Sequence, residues 1–356
     1  MARMNKLQMN QPQIAITMGD PSGVGPETIV GAWADPAVHA VACPLVVGHP
    51  EIIRRAADLI SADIEIVEIS TPEEARPAPS RIPVLTGCSD DVLKTKPAMV
   101  DPRCGRAAYD CVLSAAELAL AGRVEGITTA PLNKAAMHQA GIEYPGHTEI
   151  LAELCGVDDY AMMLYLRRDG DNSDKPRGLG VVHVTLHMAL WDVFSHLSSG
   201  AILAKTRLID RVMTDLNGQR PKVGVCALNP HAGEQGSFGD EEQTMIGPAV
   251  VRARDAGIDV AGPLPADTLL ARAAEGDFDA VVAMYHDQGH IAIKLLGMHR
   301  AVNITLGLPI VRTSVAHGTA FDLAWQGRAQ STGMVEAISV ASRLAVKRSA
   351  AVSGTV

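Results

Sequence analysis

The chain has 356 residues, of which 47% are hydrophobic and 3% aromatic, so aliphatic side chains, alanine and glycine must fill its core. Single hydrophobic cores usually divide below this length, and two domains are expected. A formal net charge of -9 without a long Lys/Arg block argues against a nucleic-acid partner. The six scattered cysteines form no CxxC pair, which argues against a zinc knuckle or a disulfide framework.

The N-terminal residues Met1 to Gln13 are polar and lack the apolar core of a signal peptide. No apolar run reaches the length of a membrane span. We therefore expect a soluble cytoplasmic protein with reduced thiols and no membrane partner.

The first predicted strand, Gln13 to Met18, runs into a glycine-rich turn, Gly19 to Glu27, which a helix follows. The glycines do not follow the order GxGxxG and no Walker lysine is present, so the usual dinucleotide and P-loop motifs are absent. The turn is either a tight structural connection or a cradle for an anion. Strand candidates then alternate with helices such as Gly105 to Ala121, which predicts a mainly parallel sheet.

Polar residues recur where predicted strands end. Gly126 to Ala130 leads into a helix that begins near Asn133 and Lys134. His147 and Thr148 precede an apolar helix, where Thr148 is either the N-cap or a substrate contact. The neighbouring His147 favours a functional site.

Two further strands are predicted to end close to a histidine. Leu179 to Leu186 is a strand that ends at His187, with His183 inside it as a packed core residue. Lys222 to Leu228 is the next strand, and His231 follows it.

Ionisable residues are most closely spaced in a stretch that follows a predicted buried strand, Ala280 to Met284. This stretch contains His286 and His290. Ligands of open α/β sheets bind at the carboxyl ends of the strands. In a helix over this stretch, His290 and Lys294 would share one face. The imidazoles could bind a metal and the lysine could bind an anionic substrate, which would suit metal-assisted catalysis. The alternative is a capped helix whose histidines lie on the surface. Asp267, at an earlier helix start, is either a cap or a functional acid.

Three histidines, His187, His231 and His286, therefore each follow a predicted strand. Three imidazoles that met at one sheet edge would bind a divalent cation and leave positions open for a substrate. The spacing alone leaves open whether they converge.

Ordered motifs over nearly the whole chain resemble the PdxA family of 4-hydroxythreonine-4-phosphate dehydrogenases. The matching stretches are ITMGDPSGVGPE, TTAPLNKAAM, GHTE, LNPHAGE, MYHDQGH and VNITLGLPIVRTSVAHGTAFD. The resemblance implies a homodimeric enzyme of pyridoxine biosynthesis that uses NAD or NADP and one divalent metal cation, zinc, magnesium or cobalt.

Carried over by position, the resemblance also implies roles for individual residues. It implies metal ligation by His187, His231 and His286, and substrate contacts from His147, Thr148, Lys294, Asn303 and Arg312. Lys294 and Asp267 are the candidates for catalytic proton transfer.

The stretch His317, Gly318, Thr319 and Ala320 resembles the segment near the adenosine in the wider isocitrate and isopropylmalate dehydrogenase fold. Two neighbouring residues depart from the pattern. Ala316 replaces an acidic residue, and Trp325 stands where a small residue is usual, so both affect the expected fit or choice of cofactor.

The expected architecture is a two-domain α/β fold with mainly parallel sheets, like that of isocitrate and isopropylmalate dehydrogenases. We expect the first domain to comprise residues 13–145 and 310–350 and the second residues 146–309, with the active site in the cleft between them.

The expected reaction is the metal-dependent oxidation, with decarboxylation, of a phosphorylated hydroxy acid such as 4-phosphooxy-L-threonine. The alternatives are oxidation of 4-phospho-D-threonate or erythronate and oxidation of a terephthalate dihydrodiol without phosphate. The VTLH and HDQGHI stretches resemble these other branches, whereas GHT, Asn303 and Arg312 favour a phosphorylated substrate. A non-catalytic metabolite-binding protein on the same scaffold would bind its ligand without reducing NAD.

Overall fold

A computed structural model of the protein describes residues 11–168 and 178–353. The first ten residues, part of the segment analysed for a signal peptide, lie outside the described residues. The chain forms two compact units, Met1–Asp158 with Leu308–Val356, and Asp159–Gly307. This division assigns residues 146–158 to the first unit, whereas the sequence analysis assigned them to the second domain.

The first unit contains a parallel sheet with the strand order β3-β4-β2-β1-β5-β12. Its strands are β1 (Gln13–Thr17), β2 (Cys43–Gly48), β3 (Glu65–Ile69), β4 (Arg81–Thr86), β5 (Gly126–Thr129) and β12 (Arg312–Val315). Its helices are α1 (Gly25–Trp33), α2 (Pro36–Val41), α3 (Pro50–Leu59), α4 (Pro102–Leu120), α5 (Lys134–Gln139), α6 (His147–Cys155) and α12 (Thr332–Ser353). The central strands β2, β1 and β5 are almost entirely buried because helices, including α4 and α12, pack on the sheet.

The second unit contains a mixed sheet with the strand order β11-β6-β7-β10-β8-β9. Its strands are β6 (Ala161–Arg167), β7 (Gly178–His183), β8 (Val223–Cys226), β9 (Val260–Leu264), β10 (Ala280–Ala283) and β11 (Val302–Leu306). Its helices are α7 (Val193–His196), α8 (Ser199–Asn217), α9 (Gly247–Asp255), α10 (Ala266–Glu275) and α11 (His286–Gly297). Strand β6 runs antiparallel to both neighbours, and the pairs from β7 to β9 are parallel.

The expected α/β fold with mainly parallel sheets is confirmed. Two of the strands that carry site residues are shorter than predicted, since β7 ends at His183 and β8 at Cys226. Beyond β7, the backbone N–H and the hydroxyl of Thr185 both donate to the carbonyl of Met284, which keeps this loop next to the end of β10. His187 consequently lies in the loop beyond the strand. None of the described helices combines the length and the apolar character that crossing a membrane requires.

Candidate active site

Four histidine rings lie together in the second unit, at the carboxyl ends of β7 and β10. These strands are parallel neighbours, with Ala283 opposite His183, so the residues that follow them meet at one edge of the sheet. His183 ends β7, His187 lies in the loop after it, and His286 and His290 belong to the first turn and a half of α11. We call His183, His187, His286 and His290 the histidine cluster.

The imidazole of His286 contacts Asp287 at its edge and His290 across its face. Its Nδ1 lies 2.6 Å from Oδ1 of Asp287. When the neutral ring carries its proton on Nδ1, it donates to this carboxylate and Nε2 keeps its lone pair for a ligand. The ring of His290 stacks on it with a centroid distance of 3.8 Å and an interplanar angle of 12°.

His183 and His290 are buried and linked to each other. A hydrogen bond of 3.1 Å joins Nδ1 of His290 to Nε2 of His183. Burial, helped by the nearby His183, His286 and Lys294, lowers the pKa of His290 to about 2. Burial also lowers the pKa of His183 to about 4. Both rings are therefore neutral at physiological pH, and His183 is buried as the sequence predicted.

The structure brings His187 and His286 close together, with ring centroids 5.7 Å apart. Imidazole nitrogens are suitable ligands for a divalent cation, so the chemistry of this pair fits a metal. Across residues 11–168 and 178–353, however, no group of three or more His, Cys, Asp or Glu side chains is arranged to hold a metal ion. The structure thus does not bring His231 into a metal-binding group with this pair.

His231 is exposed and lies in a segment with unusual backbone geometry, Pro230–Gly236. Five consecutive residues from His231 to Gln235 have positive φ, between 42° and 76°, and only one of them is glycine. The buried carboxylate of Glu242 accepts hydrogen bonds of 2.8 Å from the backbone N–H groups of Leu228 and Asn229, just before the segment. These two hydrogen bonds fix the backbone at the start of the His231 segment.

The two candidates for proton transfer occupy different environments. Lys294 is half-buried on α11, one turn after His290. Asp267 is exposed in the first turn of α10, where its carboxylate accepts a hydrogen bond of 2.8 Å from the backbone N–H of Thr268. Pro265 occupies the N-cap position of α10, so Asp267 is an acidic residue of the first turn and not the N-cap.

Asn303 lies on β11 with its amide partly buried. Its Oδ1 is buried and has no hydrogen-bond partner among the described residues. A buried amide oxygen without a partner is costly, and a bound ligand with a donor group would relieve that cost.

In the first unit, α6 begins at His147 and its N-cap is Gly146, without a side-chain cap. The interpretation of Thr148 as the N-cap is therefore wrong, because Thr148 already belongs to the first turn. Nε2 of His147 is buried and has no hydrogen-bond partner among the described residues. Burial, together with the positive charges of Arg312 and Lys134, holds the pKa of His147 well below its usual value, so the ring is neutral.

Arg312 is the first residue of β12 and is only 2% exposed. Its Nη2 donates a hydrogen bond of 2.8 Å to the hydroxyl of Thr129 on the neighbouring strand β5. Burial lowers the pKa of Arg312 to about 10, and the negative charge of Glu149 opposes this shift. The guanidinium nevertheless remains charged at neutral pH, and it is a cation that is already largely dehydrated.

The stretch from His317 to Ala320 packs against the glycine-rich turn that follows β1. The backbone N–H of Val24 donates to the carbonyl of Thr319 at 3.0 Å. A Cβ on Gly23 would lie 3.0 Å from the side chain of Thr319, so the close approach favours glycine at this position. The turn therefore packs closely against this stretch and supports it.

The segment after this stretch is also tied to α1. The buried carboxylate of Glu27 accepts hydrogen bonds from the backbone N–H groups of Trp325 and Gly327. The indole N–H of Trp325 donates to the carbonyl of Pro21 at 3.0 Å. Trp325 thus packs back onto the glycine-rich turn, and Glu27 is a supporting residue that the sequence analysis did not single out.

The family of the pyridoxal phosphate biosynthetic protein PdxA matches residues 40–341. The chain belongs to the PdxA family. The resemblance drawn from the motifs is therefore confirmed.

Relatives in the PdxA family match almost end to end. D-threonate 4-phosphate dehydrogenase of Salmonella typhimurium strain LT2 is 45% identical over 341 residues, covering 95% of this chain and 100% of the relative. 4-hydroxythreonine-4-phosphate dehydrogenase of Trichlorobacter lovleyi is 46% identical over 345 residues, covering 95% and 99%. The crystal structure of 4-hydroxythreonine-4-phosphate dehydrogenase from Klebsiella pneumoniae superposes with a TM-score of 0.82 at 43% identity, covering 94% and 100%. All three relatives are named dehydrogenases. Their similar sequence identities to this chain do not distinguish between the two substrates in their names.

Proposed function

We propose that this member of the PdxA family is an NAD(P)-linked, metal-dependent dehydrogenase that oxidises a CH–OH group of a phosphorylated hydroxy acid. The substrate is 4-phosphooxy-L-threonine, with 4-phospho-D-threonate or erythronate as the alternative. The names of the relatives support this substrate class. The observation that carries the proposal is the buried cation of Arg312 close to His147, whose buried Nε2 has no partner among the described residues.

A phosphate group suits the surroundings of Arg312 and His147. Arg312 keeps its positive charge while nearly all of its surface is removed from water, and a guanidinium offers paired donors that match phosphate oxygens. A neutral His147 adds one N–H donor, and Thr148 adds a hydroxyl in the first turn of α6. In the proposal these three residues, with Lys294 and Asn303, bind the substrate.

In the proposal His187, His231 and His286 hold one divalent cation, zinc, magnesium or cobalt. The cation would acidify the hydroxyl that is oxidised and stabilise the enolate left when carbon dioxide departs. Nδ1 of His286 lies next to the carboxylate of Asp287, which would leave Nε2 of the same ring available for this task. His231 reaches the other two ligands either by a change in the segment Pro230–Gly236 or from a second copy of the chain.

The remaining chemistry is assigned to the substrate, the cofactor and two side chains. When bound, NAD or NADP would supply a nicotinamide that accepts the hydride, and the stretch His317 to Ala320 is proposed to lie near its adenosine. Oxidation of a 3-hydroxy acid gives a ketone β to the carboxylate, which loses carbon dioxide readily. Lys294 is the preferred group for proton transfer because it is half-buried next to the histidine cluster, whereas Asp267 is exposed.

We also propose that the protein is a cytoplasmic homodimer. All six cysteines are free thiols, as a reducing compartment favours. Large apolar side chains of the second unit are exposed, including Trp191 at 86% and Leu295 at 83%. Exposed apolar side chains of this size are typical of surfaces that a protein partner covers.

The proposal is tested by measuring NAD and NADP reduction with a panel of phosphorylated hydroxy acids and with a terephthalate dihydrodiol. Charge-assisted hydrogen bonds contribute about 1.5 to 3 kcal/mol each, so Arg312→Ala should lower kcat/KM for the phosphorylated substrate by roughly tenfold to a few hundredfold. The matched variant Arg312→Lys keeps the charge but loses the paired donors, and it should lose less activity.

A neutral diol should be oxidised poorly by the wild type. If the wild type oxidises the diol efficiently and Arg312→Ala does so equally well, the substrate assignment is wrong. Ligand binding without any cofactor reduction would instead favour a non-catalytic metabolite-binding protein.

A further inference from the structure

The histidine cluster contains a residue to which the proposed function gives no role of its own. His290 is buried, stacks on His286 and is bonded to His183. We propose that His290 is a positioning residue that fixes the plane of the His286 imidazole so that its Nε2 is presented to a ligand. The proposal rests on the proposed function in one respect, namely that the ligand of His286 is a divalent cation.

The ring plane of a histidine is not fixed by its own bonds. The second side-chain torsion of histidine has broad energy minima, so packing must select one orientation of the ring. The face of His286 overlaps that of His290 at 3.8 Å and 12°, and rotation of His286 out of this plane would drive its edge into His290. The stack therefore restricts the torsion that controls where Nε2 points.

Asp287 contacts the same ring, but it is a weaker constraint on the plane. Its side chain is 69% exposed, although its Oδ1 lies 2.6 Å from Nδ1 of His286. An exposed carboxylate on a flexible side chain can follow the ring as it rotates, so it selects the tautomer more than the plane. His290 is buried and cannot follow in this way.

His290 is itself anchored to the sheet. It shares a hydrogen bond of 3.1 Å with Nε2 of His183, the last residue of β7, which is almost completely buried. A Cβ on Gly289 would lie 2.5 Å from this Nε2 and 2.7 Å from Cγ1 of Val181. Only glycine allows α11 to approach β7 so closely. Gly289 is therefore the residue that lets His290 reach His183.

The experiment compares His290→Ala and His290→Phe with the wild type in full-length protein. His290→Phe keeps a flat ring in the stack but lacks the nitrogen that bonds to His183. His299→Ala is the matched control, because His299 is an exposed histidine just beyond α11. Nitrogen NMR of the His286 imidazole in metal-free protein, zinc affinity by competition with a chelator, and the thermal midpoint are measured for each.

We expect His290→Ala to weaken zinc binding by roughly 10- to 100-fold, the range typical of residues that orient a metal-ligating histidine. The nitrogen signals of His286 should broaden and shift because the ring samples several planes, while Asp287 still selects its tautomer, and His290→Phe should give smaller changes in both zinc affinity and nitrogen signals. His299→Ala should match the wild type. If His290→Ala keeps the wild-type shifts and zinc affinity, with or without a lower thermal midpoint, the positioning role is wrong. If the wild type binds no zinc, cobalt or magnesium, the metal proposal fails, and the NMR comparison still decides the role of His290.

Discussion

His147 and His286 occupy the same place in local structure, since each is the first residue of a helix, yet their surroundings are opposite in character. His147 lies close to the cations Arg312 and Lys134, and its buried Nε2 has no partner among the described residues. His286 is partly exposed, lies against the carboxylate of Asp287 and stacks on another imidazole. The comparison shows that the chemistry of a histidine at a helix start is set by side chains from other parts of the chain. The cations near His147 favour the binding of an anion there, whereas the carboxylate next to His286 favours the binding of a cation.

The largest difference should appear in metal affinity. His286→Ala removes a proposed ligand, so zinc binding should weaken by more than roughly 100-fold, beyond the loss typical of a residue that only supports a ligand. His147→Ala should change zinc affinity by no more than about twofold, since its cationic neighbours disfavour a metal ion there. Competition with a chelator measures both. Equal losses in the two variants would remove the distinction between the two histidines.

A smaller effect should separate the two histidines at the substrate. His147→Ala removes one neutral hydrogen bond, which contributes about 0.5 to 1.5 kcal/mol, so kcat/KM for the phosphorylated substrate should fall by up to about tenfold, mainly through KM. His138→Ala, which removes an exposed histidine on α5, is the control. Steady-state kinetics with saturating cofactor measure the effect. An unchanged KM in His147→Ala would exclude it as a substrate contact.

The smallest effect concerns the pH dependence of stability. Burial and the charges of Arg312 and Lys134 lower the pKa of His147, so below about pH 6.5 the unfolded chain binds a proton that the folded protein does not. The free energy of unfolding therefore loses a contribution as the pH falls. His147→Asn lacks this proton, so its stability relative to the wild type should improve on acidification. Denaturant unfolding at about pH 7.5 and about pH 5.5 measures the difference, and parallel pH dependence of the two proteins would contradict the neutral state of His147.

The general fold and half of the histidine cluster could be predicted from the sequence. Apolar runs marked the strands, and polar residues after them marked the edge of the sheet where His286 and His290 now lie. The spacing of His290 and Lys294 correctly placed them one turn apart on a helix. These predictions succeeded because they depend on periodicity over a few neighbouring residues.

The remaining features depend on contacts between distant segments. The partnership of His183 with His290 requires the missing Cβ of Gly289, and no local pattern relates that glycine to β7. The positive φ values from His231 to Gln235 were not predictable either, because four of the five residues carry a Cβ that disfavours them. Of the two interpretations of Thr148, the N-cap was wrong because Gly146 holds that position without any side-chain cap.

The interrupted first unit has a consequence for how the protein is made. It contains β12, and α12 packs on β12, β5 and β1, although both elements follow the entire second unit in the chain. On the ribosome, the continuous stretch from Asp159 to Gly307 is therefore complete before the unit that begins the chain. The five N-terminal strands of the first unit, β1 to β5, lack their neighbour β12 until the segment that contains it has been synthesised. Until then, the edge of β5 that pairs with β12 is uncovered. The second unit is thus completed before the first, and Arg312 joins the first unit only when β12 has been made.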